Sequence, residues 1–137
     1  VNADKRVKIL IVDDEELICW SLKQSFEKAG GYAVNCAYTG DDALRKLHRD
    51  RYDIIITDLN LPDIKNHEIV RRIRDVAVST PVIVISADLS ESVLDDISGQ
   101  GVVKCIGKPF EIGEILDDVK EATGFAKPAR ENGALTK

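Results

Sequence analysis

Cysteine is scarce in this sequence, with three in 137 residues at Cys19, Cys36 and Cys105. They are odd in number, widely spaced, each followed by an apolar residue and free of metal-type spacing. That excludes a disulfide scaffold and points to reduced thiols in a cytoplasmic protein. Long hydrophobic runs are missing too. The longest are strand-sized, far short of the ~20 residues that span a bilayer, so no membrane role is expected. Val1 to Arg6 is largely polar and the apolar Ile9–Val12 runs straight into acid, so the start carries no signal-peptide pattern. Excess positive charge is also absent: 19 Lys and Arg stand against 24 Asp and Glu, a formal net charge of −5. Phosphate contacts need concentrated Lys and Arg, so direct nucleic-acid binding by this chain is not expected. With four Pro and nine Gly the chain is neither collagen-like nor low-complexity. What is present is an ordinary globular composition, 44% hydrophobic and 31% charged, in a length that suits one domain with its own core.

Five short apolar runs punctuate the chain: Val7–Val12, Tyr32–Ala37, Ile54–Thr57, Val82–Ile85 and Val102–Ile106. Helical spacing fills the gaps between and after them. Ile18, Leu22, Phe26 and Ala29 form one stripe, Ala43, Leu44 and Leu47 a second, and Ile69, Val70 and Ile73 a third. Val93, Leu94 and Ile97 form a fourth, and Ile112, Ile115, Leu116 and Val119 a fifth. Short strands alternating with helices predict βαβ crossovers and a parallel sheet. Runs such as Ile54-Ile55-Ile56 are apolar on both faces, as a strand covered by helices on each side requires. Punctuation agrees: Gly30-Gly31 ends the first helix, Thr39 is placed to cap the second, Pro81 blocks helix before the fourth run, and Ser90 is placed to cap the fourth helix. The expectation is an α/β, doubly wound (βα)5 domain with a five-stranded parallel sheet. Its boundaries are expected at 7–123, after a short lead at 1–6 and before a loose tail or linker start at 124–137.

In an open α/β sheet ligands bind beyond the carboxyl ends of the strands, where the strand order reverses. The chemistry is therefore read from the residues that end each strand. Strand one ends in Asp13-Asp14, strand three in Asp58, strand four in Ser86, and strand five runs into Lys108-Pro109. Carboxylates crowded on one rim raise one another's pKa unless a cation intervenes. Hard oxygen ligands suit Mg²⁺ (or Mn²⁺), which also neutralises an incoming phosphoryl group. A carboxylate can itself be the nucleophile and form an acyl phosphate. Lys108 supplies positive charge for phosphoryl oxygens, and the Ser86 hydroxyl can donate to one of them. A blander account has Asp13 and Asp14 merely capping the first helix. It leaves Asp58, Ser86 and Lys108 at the matching strand ends unexplained.

Four motifs now stand in order: ILIVDDEE at 9–16, DIIITDLNLPD at 53–63, VIVISAD at 82–88 and KCIGKPF at 104–110. Over about residues 7–122 the chain resembles the receiver domain of bacterial two-component response regulators, a flavodoxin-like fold. The resemblance implies that Asp58 is the phospho-acceptor, loaded by a sensor histidine kinase or a histidine phosphotransfer protein. It implies Mg²⁺ held directly by Asp14 and Asp58, by Asp13 through water, and by the backbone carbonyl of Asn60. It makes Ser86 the switch hydroxyl, Lys108 the conserved-type lysine, and the Lys108–Pro109 bond cis. Asn60 and Asp88 would tune loss of the phosphoryl group. Output would pass through helix four, strand five and helix five, to a partner, to an absent output domain, or by a homodimer formed on phosphorylation. The domain would be a signalling switch, catalysing only its own phosphorylation and dephosphorylation. Val1 in place of Met and the loose segment after Gly124 suit the receiver piece of a longer transcription regulator, with a stand-alone regulator as the alternative.

Two positions depart from the family pattern. Cys105 stands where an aromatic switch residue is usual, and reads as a small core filler. Asn66 stands where Gly is usual, and Asn tolerates left-handed backbone best after Gly. Arg71, Arg72 and Arg74 read as a solvated helix face balanced by Glu68 and Asp75. Trp20 lies about 200° around the first helix from Ile18, off the apolar stripe, which leaves partner contact and edge packing both open. His48 and His67 read as surface residues. A haloacid-dehalogenase-type phosphatase would need a second Asp two residues after its nucleophile, where this chain has Glu15 or Glu16, and room for a cap domain. A flavodoxin-like cofactor binder would need a Ser/Thr/Gly phosphate loop where Asp13 to Glu16 would repel phosphate.

Overall fold

The computed structural model describes residues 5–124, which alternate five strands with five helices. β1 (Val7–Val12) leads to α1 (Glu16–Ala29), and β2 (Tyr32–Ala37) to α2 (Gly40–Arg49). β3 (Ile54–Asp58) leads to α3 (Glu68–Val76), β4 (Val82–Ser86) to α4 (Glu91–Ile97), and β5 (Val102–Gly107) to α5 (Ile112–Thr123). The strands pair in parallel in the order β2-β1-β3-β4-β5, the doubly wound sheet that the alternating pattern predicts. Three strands run one residue past their apolar runs, to Asp58, Ser86 and Gly107. The order reverses at β1, so the crevice opens beyond the carboxyl ends of β1 and β3. Apart from Lys5, Arg6 and Gly124, the expected lead and tail lie outside the described residues.

The isoleucine-rich strands alternate between two cores. Ile9, Ile11, Ile54, Ile56, Ile83 and Ile85 pack with α1 and α5, whereas Leu10, Val12, Ile55 and Val84 pack with α2, α3 and α4. Each central strand is thus buried on both faces, which is why its sequence is apolar without alternation. The stripe on α1 differs from the expected one. Cys19, Leu22 and Phe26 are fully buried, Ile18 is half-buried and Ala29 is exposed. Spacings of three and four put Cys19 on that face, where it packs as a small hydrophobe. On the short α4, Val93 and Ile97 are buried but Leu94 is exposed.

Capping also divides between expected and corrected. The Thr39 side chain accepts from Asp42 N at 3.1 Å, as its position before α2 predicts. Ser90 occupies the N-cap position of α4 but makes no side-chain cap bond; its hydroxyl lies 3.4 Å from that of Ser92, and its own N–H donates to Asp88 Oδ1 at 3.1 Å. Asn66 adopts the left-handed conformation with φ 57°, and His67 follows it with φ 62°. His67 is half-buried rather than a surface residue, with Nδ1 3.6 Å from Asp96 Oδ2 of α4. His48 is exposed.

Candidate functional site

Parallel strands deliver their last side chains to one rim. There Asp13, Asp58 and Ser86 are buried polar residues, at 0%, 4% and 1% exposure. Asp14 is exposed beside them. Lys108 reaches the rim from the turn after β5, anchored by its own N–H to the Ser86 carbonyl at 2.9 Å and followed by a cis bond to Pro109, as the resemblance implies. Its Nζ donates to Asp58 Oδ2 at 2.8 Å and lies 3.0 Å from Asp13 Oδ2 and 3.6 Å from Glu15 Oε2.

One ammonium therefore sits among three carboxylates. Burial alone would lower the pKa of Lys108, but Asp58 and Asp13 outweigh it and hold the amine above the ordinary lysine range. Burial pushes the Asp13 carboxyl up, against the opposing pull of the Glu15 N–H and Lys108. Oxygens of Asp13, Asp14 and Asp58 all lie within 4.8 Å of one another. Asp13 Oδ2 is buried without a hydrogen bond, held by charge alone. A hard divalent cation fits this donor set, since it would add to the single positive charge of Lys108 and relieve the crowding of carboxylates.

The remaining predicted residues surround this cluster. Asn60 N donates to Asp58 Oδ1 at 3.1 Å, which ties the start of the following loop to the carboxylate. The Ser86 hydroxyl is engaged with residue 88, accepting from Asp88 N at 3.1 Å and donating to Asp88 O at 3.3 Å. Asp88 Oδ1 accepts from Ser90 N, so the Asp88 side chain shapes the turn into α4. Cys105 is half-buried against the core under α2, α3 and α4, and burial pushes its thiol pKa up. On α1, Trp20 is 59% exposed and Leu17, one turn earlier, 73% exposed, which leaves edge packing of Trp20 without support. Arg71 pairs with Glu68.

Two residues were not picked out from the sequence. Glu15 adds a third carboxylate near Lys108, and its place in the acidic run after β1 was the available signal. Asp63 accepts from Gly40 N and Asp41 N at 2.8 Å each; it closes the DIIITDLNLPD run, but nothing in that run points to its partners on α2.

The sequence pattern of the response regulator receiver domain matches residues 9–120. The chain belongs to the response regulator receiver domain family. It is 32% identical over 114 residues to the transcriptional regulatory protein CrdR of Helicobacter pylori, covering 82% of this chain and 53% of that protein. It is 34% identical over 130 residues to the uncharacterized transcriptional regulatory protein YkoG of Bacillus subtilis, covering 93% of this chain and 53% of that protein. The chain thus spans about half the length of these curated relatives. Among solved structures, a CheY-like receiver domain protein from Methanospirillum hungatei superposes with a TM-score of 0.82 at 27% identity, covering 87% of this chain and 94% of that one. This receiver domain is a signalling switch of the two-component type, and receivers bind Mg²⁺ at an acidic pocket of the kind that Asp13, Asp14 and Asp58 form here. No helix among the described residues is long and apolar enough to cross a membrane.

Proposed function

We propose that residues 7–123 form a cytoplasmic phospho-acceptor switch in which Asp58 takes a phosphoryl group from a sensor histidine kinase or a histidine phosphotransfer protein. One observation carries this reading: Asp58 sits 2.8 Å from the Lys108 ammonium, with carboxylate oxygens of Asp13 and Asp14 within 4.8 Å. An Asp58 oxygen attacks phosphorus, the P–N bond to the donor imidazole breaks, and its electron pair stays on the imidazole nitrogen, which takes up a proton. The product is an aspartyl phosphate. Asp13, Asp14, Asp58 and the Asn60 carbonyl would hold Mg²⁺ or Mn²⁺. Bound there, the ion supplies charge neutralisation for the transferring phosphoryl group. Lys108 holds a phosphoryl oxygen by charge.

The Ser86 hydroxyl must leave Asp88 to donate to the phosphoryl group. That new bond exists only in the phosphorylated state and so shifts the population of the turn into α4, and with it the α4–β5–α5 face. Leu17 and Trp20, one turn apart and exposed beside the acidic rim, suit an apolar helix of the phosphodonor partner. Because the matched region is only about half of each transcriptional relative, the output is read as a further domain, with phosphorylation-dependent pairing of receivers as a route to it.

Intact mass after incubation with Mg²⁺ and a small acyl phosphate tests the reading. A single phosphate adduct is expected on the native chain, dependent on Mg²⁺ and absent in Asp58→Asn. An adduct that persists in Asp58→Asn, or none even with a histidine phosphodonor supplied, would overturn it.

A further inference from the structure

The first N–H groups of a helix have no partner within it. At the start of α2, one is satisfied locally by Thr39 and two by a residue of another element. Gly40 N donates to Asp63 Oδ1 and Asp41 N to Asp63 Oδ2, each at 2.8 Å. Asp63 belongs to the loop between β3 and α3, the same loop that leaves Asp58. Packing reinforces the tie: a Cβ on Gly40 would lie 2.3 Å from Ile64 Cδ1, so the Ile64 side chain of the loop packs directly on the helix start. The loop is held at its other points as well. Asn60 N bonds Asp58 Oδ1, Leu59, Leu61 and Ile64 are buried, and the far end turns through left-handed Asn66 and His67.

We propose that Asp63 is a positioning residue for the metal site. By clamping the loop to the N-terminus of α2, it sets where the Asn60 backbone stands relative to the Asp58 carboxylate. This rests on the metal reading above. The separation from an ordinary cap is physical. Losing Thr39 frees one N–H of α2 and leaves the loop tied to the helix, whereas losing Asp63 frees two N–H groups and removes the loop's polar tie to α2.

The test is calorimetric titration of MgCl₂ into the full chain as native protein, Asp63→Ala, Asp63→Asn and Thr39→Ala, with Tm of each by circular dichroism. Asp63→Ala is expected to weaken Mg²⁺ binding about threefold or more, below the ~10–100-fold typical for a direct partner of a ligand. Asp63→Asn, which keeps one acceptor oxygen, should recover part of the loss and serves if the alanine variant does not fold. Thr39→Ala should lower Tm while leaving Mg²⁺ binding unchanged. Equal weakening in Thr39→Ala and Asp63→Ala would make the effect plain helix fraying and overturn the proposal, as would unchanged binding in Asp63→Ala. A native chain that binds no Mg²⁺ would remove the metal reading itself, and this inference with it.

Discussion

Lys108 stands among carboxylates of Asp58, Asp13 and Glu15, so it competes with any cation drawn to the rim. At an effective dielectric near 20, two unit charges 4 Å apart interact by about 4 kcal/mol, enough for that competition to be measurable. Lys108→Met should therefore tighten Mg²⁺ binding several-fold by calorimetry while reducing the phosphate adduct seen by intact mass. Weaker Mg²⁺ binding would contradict this account. Asp63 allows a prediction in pH. Burial pushes its carboxyl up, but the N–H groups of Asp41 and Gly40 outweigh burial and hold it below the ordinary carboxylate range. A depressed folded pKa stabilises above the unfolded value and is lost as pH falls through the folded one. The tie to α2 should thus hold from neutrality to about pH 4 and loosen below it. Hydrogen exchange at the Gly40 and Asp41 amides would show it, and loss of protection already at about pH 6 would refute it.

At the scale of elements, α2 is the most instructive. Thr39→Ala should cost about 1 kcal/mol in urea denaturation, the usual worth of an N-cap. Gly40→Ala should cost about 1–3 kcal/mol by overpacking against Ile64. In a double-mutant cycle, Ile64→Val should recover part of that loss, because the two positions share one contact. An additive result would mean the strain lies elsewhere. Thr39 was readable as a cap because capping is local in sequence. Asp63 was not, because its partners lie 23 and 22 positions away and meet it only once β2 and β3 flank β1. The α1 stripe shows the same limit in milder form: Cys19 and Ala29 are similarly small and apolar, and only the seating of the helix on the sheet buries the first and exposes the second.

For the whole molecule, two cores share one sheet, and adjacent residues of β3 report on each. Ile55→Ala and Ile56→Ala should each cost about 2–5 kcal/mol in urea denaturation, since both side chains are fully buried on opposite faces. A cost at only one of them would mean that one helical layer contributes little. The alternation of apolar runs and helical stripes determined the α/β class, the strand positions to within a residue at each carboxyl end, and the acids, hydroxyl and amine that stand there. These are local properties, carried by periodicity and by which residue follows each strand. Tertiary structure decided the rest: the order β2-β1-β3-β4-β5, the reach of Lys108 to Asp58 and Asp13, the engagement of Ser86 with Asp88, and the clamp from Asp63 to α2. Each of these depends on which distant segments become neighbours, and neighbours are chosen by packing both faces of the sheet at once.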